Sequence, residues 1–110
     1  IQILLDSMAV GSYASRGQCR TTVLAMKLAE ASHIVTQRRQ QPVLLLDDVL
    51  SELDAVRRYH VLQTASQYEQ CFVTTSDLNL IDEKFMSKMS RFLVKQNRVE
   101  PEPTNVQPGL

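Results

Sequence analysis

The sequence predicts an α/β fold organised on a parallel sheet, and three observations lead there. The run Val43-Leu44-Leu45-Leu46 is continuously apolar, opened by Pro42 and closed by two acids. Such short unbroken runs mark strands buried on both faces of a parallel sheet. A second run, Cys71-Phe72-Val73-Thr74-Thr75, has the same character. Segments with helical spacing precede and separate these runs, and the order strand, helix, strand, helix, strand calls for parallel neighbours.

The elements follow in order. Ile1 to Leu5 is a short strand candidate ending at Asp6, and Gly11-Ser12 and Ala14-Ser15-Arg16-Gly17 are loop material. A long helix is predicted from about Gln18 to about Gln37, with a stripe of Leu24, Leu28, Ala31 and Val35 widened by Val23 and Ile34. Arg38-Arg39-Gln40-Gln41 is a polar stop, and Pro42 forbids continuation. After the acidic-ended strand, Leu53 to about Gln67 reads as a second helix, with Leu53, Val56, Tyr59 or His60 and Leu62 or Gln63 near one face. Asp54 or Ser51 is its candidate cap. Leu78 to Phe85 reads as a short helix or irregular turn, and Arg91 to Lys95 as a third, less buried strand near an edge. Gln96-Asn97-Arg98-Val99 is a turn and its exit. From Glu100 onward three prolines in a polar setting predict a loose tail over residues 100–110, leaving 1–99 as one domain.

Composition narrows the function classes. Twelve basic and twelve acidic side chains cancel, so bulk charge gives no argument for nucleic acid. Three Tyr and three Phe are too few for a base-stacking platform. No run is long and apolar enough for a membrane span, and no signal peptide is visible. Cys19 and Cys71 fit no metal spacing or disulfide framework and read as thiols of a reducing, cytosolic protein. His33 and His60 have no partner at metal spacing. The basic groups Arg38-Arg39, Arg57-Arg58 and Lys84 to Arg98 read as a solvated face, with DNA phosphate contact as the alternative.

Two stretches carry chemistry. Asp47 and Asp48 close the first apolar run, with Glu52 and Asp54 just beyond. In parallel sheets ligands sit at the carboxyl ends of the strands. Adjacent carboxylates there suit a Mg²⁺ carried by a nucleoside triphosphate, because Mg²⁺ takes one or two carboxylates plus phosphate oxygens. This is the Walker B pattern; the alternative is a buried strand running into a solvated acidic loop. The second stretch, Tyr13-Ala14-Ser15-Arg16-Gly17-Gln18-Cys19-Arg20-Thr21, opens into the long helix. A helix start presents unpaired N–H groups and partial positive charge, Gly17 permits close approach, and Ser15 offers a hydroxyl. A Ser-capped helix and nothing more is the plainer reading.

Together the stretches stand in the order of the catalytic elements of ABC-type ATPases. YASRGQCRTTVLAMKLAE (13–30), PVLLLDDVLSELD (42–54) and FVTTSDL (72–78) resemble the C-terminal portion of the RecF family, the bacterial DNA replication and repair ATPases, over roughly residues 1–99. The resemblance implies an ABC-type ATPase lobe of the P-loop NTPase superfamily. Ala14 to Gln18 would be the signature motif, with Ser15, Arg16, Gly17 and Gln18 at the γ-phosphate of ATP held by a second subunit. Asp47 would reach Mg²⁺ through water, and Asp48 would polarise the attacking water. Ser51, Glu52, Leu53 and Asp54 would form the D-loop across a dimer interface, and Ser76 would take the switch position. The family further implies a cytoplasmic protein that dimerises on ATP, binds DNA at single-strand/double-strand junctions and works with RecO and RecR to load recombinase at gaps.

The sequence departs from the wider pattern in several places. Arg16 replaces a Gly of the broader ABC signature, and Cys19 stands where RecF proteins often have Gln. Asp48 replaces the usual Glu, and Ser76 the usual His, which fits slow turnover. The three glycines are Gly11, Gly17 and Gly109, so the chain holds no phosphate-cradling Walker A loop. That lobe is expected upstream of Ile1, the 110 residues alone are expected to be inactive, and a slow ATPase is expected in the full-length dimer. Two alternatives remain: an SMC-type chromosome-maintenance lobe, disfavoured by the lack of heptads in Ile1 to Ser12, and a non-catalytic dimerisation module.

Overall fold

A computed structural model describes residues 4–5, 8–9 and 16–103. The chain divides into two units, with the boundary between Leu80 and Ile81. The domain expected over 1–99 spans residues of both units.

In the first unit, β1 (Leu4–Leu5) and β2 (Met8–Ala9) pair antiparallel, Leu4 with Ala9 and Leu5 with Met8. The sequence reading anticipated β1 but not β2. Helix α1 runs Arg16–Arg38, close to its predicted span. It ends where Arg39 turns to φ 52 and its N–H reaches the Val35 carbonyl at 3.1 Å, a left-handed cap made without glycine. Pro42 then excludes further helix. Of the predicted stripe, Ala31 is buried, Leu24, Leu28, Ile34 and Val35 are half-buried, and Val23 is exposed.

Strand β3 (Leu44–Asp47) pairs in parallel with β4 (Cys71–Thr74), from Leu44 with Cys71 to Asp47 with Thr74. This is the predicted parallel pair, but burial on both faces is not what the structure has. Leu44 and Leu46 are buried, whereas Leu45 is 71% exposed and Phe72 51% exposed. Side chains alternate across a strand, and the described residues cover one face only. The buried face belongs to a core with Leu50, Leu53, Val61 and Leu62. Between the strands lie a 3₁₀ turn at Leu50–Glu52 and helix α2 (Ala55–Ala65). Asp54 caps α2 as expected, its carboxylate accepting from the Arg57 N–H at 2.8 Å. The buried face of α2 is Val61, Leu62 and Ala65; Val56, expected on it, is exposed.

The second unit holds a single-turn helix α3 (Glu83–Met86), capped by Asp82, and a hairpin of β5 (Phe92–Lys95) and β6 (Arg98–Pro101). Gln96 and Asn97 both take positive φ, 48 and 59, as a two-residue turn matched to the strand twist requires. The third strand therefore pairs antiparallel with its successor, not in parallel with the earlier strands. Hydrogen bonding continues through Glu102, whose N–H donates to the Arg91 carbonyl at 2.9 Å. The boundary expected at Glu100 thus falls inside β6; residues 104–110 of the expected tail lie outside the described residues.

Candidate functional site

The two carboxylates stand where the parallel pair ends. Asp47 is the last residue of β3, level with Thr74 on β4. Asp48 follows with φ 50, a left-handed conformation that Asp tolerates better than most side chains. This residue is anchored across the sheet: its N–H donates to the Thr74 carbonyl at 3.2 Å and to Thr74 Oγ1 at 3.0 Å. Thr74 Oγ1 in turn donates to Asp47 Oδ1 at 2.5 Å. Both acids are exposed. Water therefore compensates their adjacent charges in this chain, and no buried partner is needed.

The chain beyond the acids is held by local bonds. Ser51 Oγ donates to the Asp48 carbonyl at 3.3 Å, and the Leu53 N–H to the Leu50 carbonyl at 3.2 Å. Glu52 accepts from Arg20 of α1, which ties the turn after β3 to the first turns of the helix. Asp54 caps α2 and pairs with Arg57 at 3.1 Å. Leu53 is buried in this chain's core, so of the four expected D-loop residues Ser51, Glu52 and Asp54 remain at the surface.

A groove of about 660 Å³ runs between α1 and β3. Arg16 and Arg20 from the helix start and Asp47, Asp48 and Glu52 from the strand end line it. Its remaining lining is largely aliphatic, including Leu24, Leu28 and Leu44. Gly17, Gln18, Ser51, Asp54 and Ser76 are not among its lining residues, and Ser15 lies outside the described residues. Among the described residues, a Cβ added at Gly17 would meet nothing within 4 Å. Ser76 is exposed beyond β4. The turn around it is fixed by Thr75 Oγ1, which accepts from the Asp77 N–H and donates to the Asp77 carbonyl, each at 3.1 Å.

The donor set at the strand end fits Mg²⁺. It consists of hard carboxylate oxygens, accessible, with acceptor capacity left on Asp47 after the Thr74 bond. Among the described residues no group of three or more His, Cys, Asp or Glu could hold a metal ion. A cation here would have to complete its shell from water or phosphate, as Mg²⁺ does. His33 and His60 are both exposed, and burial pushes the Cys71 thiol up from its ordinary value. Sequence reasoning missed Thr74 and Arg20. The signal for Thr74 was its place at the end of the strand beside β3; for Arg20 there was none.

"DNA replication and repair protein RecF" of Lysinibacillus sphaericus (strain C3-41) is 44% identical over 100 residues, covering 91% of this chain and 27% of the relative. The protein of the same name from Bacillus cytotoxicus is 41% identical over 102 residues, covering 93% and 27%. That from Herpetosiphon aurantiacus is 41% identical over 102 residues, covering 92% and 26%. The chain is homologous to the C-terminal portion of RecF proteins. It spans about a quarter of the length of the curated RecF relatives it matches, and the matched part is their C-terminal portion. No family model and no solved structure matches it. The similarity to RecF takes in the segments that hold Asp47, Asp48 and the start of α1, since the matches cover nine-tenths of the chain. Among the described residues no helix is long and apolar enough to cross a membrane.

Proposed function

We propose that this chain supplies the carboxylate end of an ATP site in a RecF-type DNA replication and repair protein. The observation that carries the reading is the pair Asp47–Asp48 at the carboxyl end of a parallel strand, cross-braced by Thr74. In this reading Asp47 orders the water around a nucleotide-bound Mg²⁺, which would neutralise phosphate charge. Asp48 orients the water that attacks the γ-phosphate. Ser15 and, at the start of α1, Arg16, Gly17 and Gln18 would contact ATP held by a second copy, which would make the site composite and the protein an ATP-dependent dimer. Ser51, Glu52 and Asp54 border that interface, and Ser76 sits at the switch position. The likeness to proteins named for DNA replication and repair supports DNA as the partner; the reading extends this to single-strand/double-strand junctions, to RecO and RecR as co-workers in loading recombinase, and to the cytoplasm as the location.

The 110 residues contain no G-x-x-x-x-G-K-S/T sequence, so phosphate cradling falls to residues outside them. The test is ATP hydrolysis by the protein in which this chain is continuous with such a loop. Asp48→Asn is expected to lower the hydrolysis rate by about a hundredfold or more, the usual scale for a positioned base, while ATP binding persists. Hydrolysis unchanged in Asp48→Asn would remove the role given to that carboxylate.

A further inference from the structure

We infer that Thr74 is a positioning residue for the two carboxylates, its hydroxyl setting the side chain of Asp47 and the backbone of Asp48 before any ligand arrives. The inference rests on the reading of Asp47 and Asp48 given above. A threonine hydroxyl has one proton to donate and two lone pairs to accept. Here the proton goes to Asp47 Oδ1 at 2.5 Å, and a lone pair takes the Asp48 N–H at 3.0 Å. One side chain therefore contacts both acidic residues, from a different strand, at the register position directly opposite Asp47.

The two bonds do different things. The bond to Asp47 fixes one oxygen of the carboxylate and leaves acceptor sites for a cation or its water. The bond to Asp48 N–H, shared with the Thr74 carbonyl at 3.2 Å, anchors a residue held in the left-handed region at φ 50. Rigid placement of this kind matters because small displacements of reacting groups are costly in rate. The neighbouring Thr75 is no substitute. It lies beyond the end of β4, and its hydroxyl is engaged in the Asp77 turn.

Nuclear magnetic resonance on the 110-residue chain tests this without nucleotide, so its outcome is separate from that of the hydrolysis experiment. Three-bond couplings to Asp47 Cγ report its χ1 rotamer, and amide exchange reports the Asp48 anchor. The native chain and Thr74→Ser, which keeps the hydroxyl, are expected to show one Asp47 rotamer and a slowed Asp48 amide. Thr74→Val, nearly the same shape without the hydroxyl, is expected to average the rotamer and speed Asp48 exchange by about tenfold, the scale of one net hydrogen bond. Protected Leu46 and Val73 amides show that the sheet survives the change. A single Asp47 rotamer with unchanged Asp48 exchange in Thr74→Val overturns the proposal. So does an averaged Asp47 rotamer in the native chain or in Thr74→Ser, an outcome that does not depend on the valine variant folding.

Discussion

Asp54 illustrates how a residue with an expected role at an interface first has one in the fold. Its carboxylate accepts from the Arg57 N–H at the start of α2 and pairs with the Arg57 guanidinium. The ion pair is exposed and contributes little, whereas the cap satisfies a backbone donor that the helix cannot. Asp54→Ala should therefore cost about 1 kcal/mol of stability in urea unfolding, and Asp54→Asn much less, since Asn caps as well as Asp. Equal losses in the two variants would assign the effect to charge instead. At this scale the acids were legible because a continuous apolar run ending in Asp47-Asp48 is unusual. Thr74 was not, because its partners lie 27 and 26 residues away and only the pairing of β3 with β4 brings them together.

At the scale of elements, helix and strand patterns specified the parallel pair, the long helix and the capped second helix, each close to its expected span. Composition misled about what covers the strands. Val43 to Leu46 is apolar on both faces, yet Leu44 and Leu46 point into the core while Leu45 is exposed. The antiparallel partner of β5 was missed because Val99, Glu100 and Pro101 show no strand alternation and a proline reads as a stop. Pairing with β5 overrides that local preference, and Pro101 sits at the strand's last position, where its missing N–H matters least. The contrast between faces gives a direct expectation. Leu62→Ala, at a side chain 1% exposed on α2, should destabilise the chain by about 2–5 kcal/mol. Leu45→Ala should change it by about 0.5 kcal/mol or less, as substitutions at exposed positions usually do. Denaturant midpoints of the two variants measure the difference, and a large loss at Leu45 would mean that its face is covered in solution.

At the scale of the whole molecule, the chain matches RecF proteins over about a quarter of their length, and its acids, helix start and connecting turn line one groove. What it lacks is a phosphate-cradling loop, so its site is read as a part that another segment completes. Asp47 and Asp48 are both exposed, and among the described residues no group of three or more His, Cys, Asp or Glu could hold a metal ion. The most direct measurement is a Mg-ATP binding titration on the 110 residues alone and on the same chain joined to a segment bearing a Walker A loop. Binding confined to the joined protein is the predicted result. Tight binding by the 110 residues alone would contradict the account, because it would mean that a complete nucleotide site is present without that loop.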